Sequence, residues 1–234
     1  MNDLRNQLAA TAGMEIKALQ HAQLDAYLDL LFQANQTMNL TRIVDRPAAE
    51  AQHICDALTL LPFLPREAHR LADVGSGGGV PGIPLAIVRP DAEITLIEST
   101  KKKAAFLRSC AEAIELKNLT VLDQRVEDVA HSPHRESFDI AVARAVATMD
   151  WLAEWCLPLV RIGGTFLAMK GPKVLQELPE AAHALHRAGG SEPVTHPANL
   201  PGADHHLIIA IAKARSSDKL LPRSPTTAKG KPIR

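Results

Sequence analysis

Aromatic side chains make up only 3% of the 234 residues, so the core has to rest on Leu, Ile, Val and Ala. The three cysteines, Cys55, Cys110 and Cys156, lie far apart, with no Cys-x-x-Cys pair and no Cys/His cluster. That spacing argues against a structural zinc site and against a disulfide framework; no metal is expected, and a reducing cytoplasm is the expected home. No apolar run reaches the ~18 residues of a membrane span, and the opening MNDLRNQLAATAGM lacks the apolar heart of a signal peptide. No internal repeat is evident. Nor is there any net charge, yet the balance is uneven along the chain. Lys213 to Arg234 carry seven basic residues and one acidic, net +6, which leaves −6 on everything before them. A basic segment on an acidic body suits an anionic partner such as nucleic acid, although composition alone favours a solvated terminus.

With 46% hydrophobic and 22% charged residues, the chain has the make-up of an ordinary globular protein, long enough for one full-sized domain and an appendage. The first ~65 residues read as helical. Leu24, Tyr27, Leu28, Leu31 and Phe32 recur at helical spacing, Asn39-Leu40-Thr41 interrupts, and a further helix after Pro47 carries His53 and Asp56. From residue 70 onward short apolar runs alternate with helical stretches: RLADV, EITLIE, LTVLD, FDIAVA, GTFLAMK and HHLIIAIA. Such alternation marks βαβ units on a parallel sheet. Only a Pro- and Gly-containing loop joins the run near PVTHP to HHLIIAIA, so that last pair is expected to be antiparallel. The division expected is residues 1–65 as a helical extension, 66–212 as an α/β core, and 213–234, which has no periodicity, as a flexible basic tail.

The central motif is Asp73-Val74-Gly75-Ser76-Gly77-Gly78-Gly79-Val80-Pro81-Gly82, after an apolar strand and before a helix. Glycines at such a turn let a ligand lie against the main chain. Gly77, Gly79 and Gly82 satisfy Gly-x-Gly-x-x-Gly, so a dinucleotide has to be weighed; no Gly-Lys-Ser/Thr follows, which excludes a Walker A loop. Three features favour S-adenosylmethionine. Asp73 could face the cofactor's ammonium, Glu98 at the end of the next strand could take both ribose hydroxyls, and an antiparallel last strand is typical of class I methyltransferases. The cradle expected is Gly75, Gly77, Gly79, Val80 and Glu98.

The chain also carries LIESTKKKAAFL, RVED, ARAVA, MKGP and PRSPTTAKGKPI, with Asn39-Leu40-Thr41 and His53-x-x-Asp56 upstream. In this order the motifs resemble those of the 16S rRNA (guanine-N7) methyltransferase family, also called the glucose-inhibited division protein B family, over about residues 35 to 234. The resemblance implies a class I S-adenosylmethionine-dependent fold: a Rossmann-like, seven-stranded, mostly parallel sheet with an antiparallel last strand and an N-terminal helical extension. It implies methyl transfer to N7 of a guanine in the 530 loop of 16S rRNA, in the 30S subunit or an assembly intermediate, by a protein expected to be monomeric. It places Val126 and Glu127 at the adenosine and Arg125 near the active centre.

Guanine N7 has an in-plane lone pair and no proton, so its methylation needs alignment and a tolerant field but no general base. The absences agree. No [Asn/Asp/Ser]-Pro-Pro-aromatic motif for an exocyclic amine follows the fourth strand, and no cysteine follows a proline as cytosine C5 enzymes often require. At that place stands Ala143-Arg144-Ala145, where Arg144 could hold the cofactor carboxylate, an RNA phosphate or the guanine edge. Lys170, at the end of GTFLAMK, is expected at RNA phosphate or guanine. Arg125, Arg144 and Lys170 are therefore the candidate reaction-centre residues, and Asn39, His53, Lys101, Lys102, Arg223 and Lys229 the candidate RNA contacts. Each has a plainer reading: Asn39 as a turn or cap, His53 with Asp56 as a brace, the lysines as a solvated face. A methyltransferase acting on small molecules or proteins, an NAD-dependent oxidoreductase and a silent RNA-binding module stay open on the residues alone.

Overall fold

The computed structural model describes residues 2–67, 69–144, 147–200 and 205–233. The apolar runs become seven strands: β1 (Arg70–Val74), β2 (Glu93–Ile97), β3 (Leu119–Leu122), β4 (Phe138–Arg144), β5 (Val160–Lys170), β6 (Val194–Pro197) and β7 (Leu207–Ala212). They form one sheet in the order β3-β2-β1-β4-β5-β7-β6. The ladders from β3 to β5 are parallel, and β7 runs antiparallel to both neighbours, as expected. In β1 and β4 the residues Leu71–Val74 and Ile140–Ala143 are buried throughout, the continuous apolar pattern of strands covered on both faces.

Helices α1 (Asn2–Thr11) and α2 (Ala18–Met38) make up the N-terminal extension. A stretch then follows of α3 (Arg46–Ala49), a π-helical turn (Glu50–Cys55) and α4 (Asp56–Leu58). Further helices are α5 (Gly82–Val88), α6 (Lys101–Ala113), α7 (Val126–Ala130), α8 (Met149–Cys156), α9 (Val174–Arg187) and α10 (Pro225–Ala228). The extension packs into the body: Leu8, Leu24, Tyr27, Leu28 and Leu31 share one apolar cluster with Leu71, Ile83, Leu96 and Leu107. The other face is covered by α8 and α9 through Met149, Leu152, Ala181 and Ala184. A buried guanidinium locks the extension, Arg5 pairing with Glu50 and with Asp25, the latter at 2.8 Å. Among the described residues no helix is long and apolar enough to cross a membrane.

The C-terminal segment departs from the expected flexible tail. Leu221, Ala228 and Ile233 are buried, and the carbonyls of Leu221 and Pro222 meet Arg135 and His131. Lys213 is also buried; it donates to the carbonyls of Leu157 and Ala188 and pairs with Glu136 at 3.1 Å. Burial lowers its ammonium to about 8. The residues that dock this segment are too widely spaced to leave any periodicity in the sequence.

Candidate active site

The parallel ladders set the site by register. Val74 sits beside Ile97 on β2 and Ala143 on β4, while Ala143 sits beside Ala168 on β5. The next residue along each strand is therefore Gly75, Glu98, Arg144 and Met169, in one row at the carboxyl edge. Because β7 is antiparallel, its beginning reaches the same edge: Lys170 pairs with Leu207, and His206 precedes it. The strand order reverses at β1 and β4, the place where open α/β sheets receive ligands.

The glycine loop is built from both sides. A β-carbon on Gly79 would lie 2.5 Å from Ile83 Cδ1, and one on Gly82 would lie 2.2 Å from Leu96 Cδ2, so these two glycines permit close packing inward. Gly77 has a positive φ of 55° and its nearest neighbour at the added carbon is 3.8 Å away, so this is the glycine that leaves room for a ligand. The extension buttresses the loop: Tyr27 Oη donates to the Gly78 carbonyl at 2.9 Å. Val80 is half-buried against the same apolar cluster. Asp73 is buried; its Oδ2 accepts from the Gly82 N–H at 3.0 Å, while Oδ1 has no protein partner. Burial raises its carboxyl to about 7, against the lowering influence of the Gly82 hydrogen bond.

A cavity of about 160 Å³ opens between the ends of β1, β2 and β3, lined by Gly75, Glu98, Arg125, Val126, Glu127 and Trp155 among others. It brings together five of the residues singled out from sequence. Glu98 Oε2 accepts from Gly77 N–H at 3.0 Å and Oε1 from Thr100 N–H at 2.7 Å, so the carboxylate is fixed in place and keeps lone pairs free on both oxygens. Glu127 is buried in the first turn of α7, and Arg125, just before that helix, is exposed. Trp155 escaped the sequence reading as a site residue. Its indole N–H is buried without a partner, and its ring stacks on Trp151 at 5.3 Å. An anchored carboxylate with free lone pairs, an orphaned indole donor and an orphaned carboxylate oxygen are groups that S-adenosylmethionine would satisfy. The residues present therefore suit the cofactor.

A second cavity of about 170 Å³ lies around Arg144, lined also by Gln52, Asp56, Lys170 and His206. Asp56 is the hub. Its Oδ2 takes Arg144 Nε at 3.0 Å and its Oδ1 takes His206 Nδ1 at 3.0 Å. Arg144 Nη1 lies 3.5 Å from His53 Nδ1, and His53 Nε2 lies 3.0 Å from Thr41 Oγ1. Burial, aided by Arg144, lowers His53 to about 4, so the ring is neutral at physiological pH. The expected brace between His53 and Asp56 is replaced by a shared hold on Arg144. The π-helical turn ending just before Asp56 re-aims these side chains, a distortion often found at functional sites.

Several candidate RNA contacts are already committed within the protein. His53 is buried in the network just described rather than presented at the surface. Arg223 is held by the fully buried Glu154 at 2.7 Å and lies over the Trp151 ring. The Lys170 ammonium turns to Glu177 and the Ala147 carbonyl, both at 2.8 Å, where it anchors the loop after β4 instead of facing a phosphate. Asn39 caps α2 in the left-handed conformation, which asparagine tolerates, and is exposed. Lys101 and Lys102 stand exposed in the first turn of α6 at the sheet's carboxyl edge, and Lys229 is exposed after α10. Ala145, the neighbour of Arg144, lies outside the described residues.

A sheet of this order with one antiparallel strand and a glycine loop followed by an acidic β2 end defines a class I S-adenosylmethionine-dependent methyltransferase. The same fold is seen in M. jannaschii TYW2 in complex with AdoMet, which is 14% identical, with TM-score 0.52 over 73% of this chain and 77% of that one. The family model of rRNA small subunit methyltransferase G, GidB, matches residues 20–205. Proteins of that description from Moorella thermoacetica (39% identical, 100% of both chains) and Lactobacillus delbrueckii subsp. bulgaricus (37%, 94% of both) are similar along nearly the whole length. The chain belongs to the rRNA small subunit methyltransferase G family.

Proposed function

We propose that the protein transfers a methyl group from S-adenosylmethionine to N7 of a guanine in the 530 loop of 16S rRNA, within the 30S subunit or an assembly intermediate. The observation that carries this reading is a pair of cavities on one sheet edge. The first is built for a nucleoside around Glu98, and the second surrounds an oriented arginine. Family membership supports ribosomal RNA as the acceptor, and the exposed Lys101 and Lys102 beside the first cavity support an anionic one.

Bound S-adenosylmethionine supplies an electrophilic methyl group on a sulfonium. The protein's own part is positioning. Glu98 takes the ribose hydroxyls on its free lone pairs, Val126, Glu127 and the Trp155 indole N–H surround the adenine, and Asp73 Oδ1 offers negative charge to the ammonium. Arg144, held through Nε by Asp56, retains Nη2 donors for the guanine O6. Arg125, exposed at the mouth of the first cavity, is placed to meet an incoming phosphate. N7 already carries the attacking lone pair, so no side chain has to remove a proton. The buried neutral His53 and the Asp56 carboxylate keep a purine that is becoming cationic from facing an uncompensated guanidinium.

The test is methyl transfer from labelled cofactor to 16S rRNA and to 30S subunits lacking the modification, followed by digestion to nucleosides. Label in 7-methylguanosine at one site is the expected result. Label in another nucleoside would refute the N7 assignment, and no label with cofactor bound would move the acceptor to a small molecule or protein.

A further inference from the structure

His206 lines the second cavity and has no part in the alignment just described. Its Nδ1 lies 3.0 Å from Asp56 Oδ1. A carboxylate engaged by Arg144 can only accept, so Nδ1 carries the hydrogen toward Asp56, and the tautomer this contact selects presents Nε2 as a lone-pair acceptor. No hydrogen bond engages Nε2 among the described residues, and it stands on the side of the ring away from Asp56. Asp56 thus accepts from both groups, Arg144 Nε–H on Oδ2 and His206 Nδ1–H on Oδ1, and so orients a donor-only guanidinium beside an imidazole whose Nε2 is the acceptor.

Guanine offers an acceptor, O6, next to a donor, N1–H. Adenine reverses the two, with an N6 amine beside a bare N1. We propose that His206 Nε2 accepts the N1–H of the target guanine while Arg144 donates to O6, so that this pair selects guanine among purines. The inference rests on the guanine-methylating reading of the site. It also contributes to rate: as N7 takes the methyl group the ring becomes cationic and N1–H more acidic, so its hydrogen bond to Nε2 is stronger in the transition state than in the ground state. A site that uses a buried acceptor in this way rejects bases that lack the matching donor.

The test uses 30S subunits reconstituted on 16S rRNA carrying guanosine, inosine or 2,6-diaminopurine riboside at the target position. Inosine keeps O6 and N1–H without the N2 amine, whereas diaminopurine keeps N7 but reverses the donor and acceptor. The wild-type protein is expected to methylate guanosine and inosine within about threefold of one another, and diaminopurine about 100-fold more slowly. In His206→Ala the guanosine rate falls about 10-fold or more while the diaminopurine rate barely moves, so discrimination drops to about tenfold or less; His206→Gln, which keeps an acceptor, restores part of it. Equal slowing on all three substrates, or a wild-type rate on diaminopurine equal to that on guanosine, would overturn the proposal. Absence of label on wild-type guanosine subunits would instead remove the reading beneath it, before any variant is made. Should His206→Ala fail to fold, seen as lost cofactor binding, His206→Asn takes its place, with the same selective fall on guanosine expected and equal slowing on all three substrates overturning the proposal.

Discussion

The two halves of the sheet edge are made in different ways. The cofactor half, at the ends of β1, β2 and β3, is held by backbone: Gly77 and Thr100 N–H groups fix Glu98, and Gly82 N–H fixes Asp73. All of these partners lie between residues 73 and 100. The acceptor half, at the ends of β4, β5 and β7, is held mainly by side-chain pairs, those of Thr41, His53, Asp56, Arg144 and His206. A cradle of local backbone contacts forms with the βαβ unit itself. The acceptor half exists only once the extension and the end of the sheet have both docked. Changes in the first half should therefore be read in cofactor affinity, and changes in the second in rate and base choice.

The largest effect expected is on methyl transfer in Arg144→Ala, a fall on the order of 10²- to 10³-fold, the scale of losing a preorganised donor at the reacting group. Single-turnover rates on 30S subunits would measure it, and activity near wild type would erase the distinction between the halves. Next comes Glu98→Gln, which keeps only one of the two carboxylate acceptors. Cofactor affinity by calorimetry is expected to fall about 10- to 100-fold with the rate at saturation little changed.

Asp73→Asn sharpens the contrast within the cofactor half. Its carboxyl, raised to about 7 by burial, is above the unfolded value of 3.8, so its contribution to stability is present below about pH 4 and is lost as pH rises through 7. An asparagine can still accept from the Gly82 N–H without carrying charge. The variant is expected to gain stability at pH 8, by an amount on the order of 1 kcal/mol or more, and to bind cofactor more weakly. Wild-type affinity is expected to rise with pH across 7 as the carboxylate forms, and a flat profile in the wild type would remove Asp73 from the ammonium. The smallest effect belongs to Lys101→Gln and Lys102→Gln, each expected to lower the salt dependence of RNA affinity by a slope of about one without altering cofactor binding.

The same contrast explains what could be read from the chain. The glycine loop and Glu98 announce themselves because each stands just past an apolar strand, whereas Val126 and Glu127 are marked out by the family resemblance. Trp155 was hidden because a tryptophan on an apolar helix face reads as core. Asp56 was visible only as half of a brace with His53, since a π-helical turn leaves no mark in helical periodicity. His206 pairs with a carboxylate 150 positions away, and a histidine just before an inner strand carries no local signal. Arg223 is the opposite case: its basic neighbours suggest an RNA contact, but its side chain is held by Glu154, buried on α8 and far away in sequence.

The central claim is that the edge separates cofactor binding from acceptor alignment, with Arg144 on the acceptor side. Titration of S-adenosylmethionine into Arg144→Ala, followed by calorimetry, tests it most directly. The account predicts an affinity within about threefold of wild type, well under the tenfold that 1.4 kcal/mol would produce. A loss of cofactor binding as large as the loss of methyl transfer would place Arg144 at the cofactor and contradict the division.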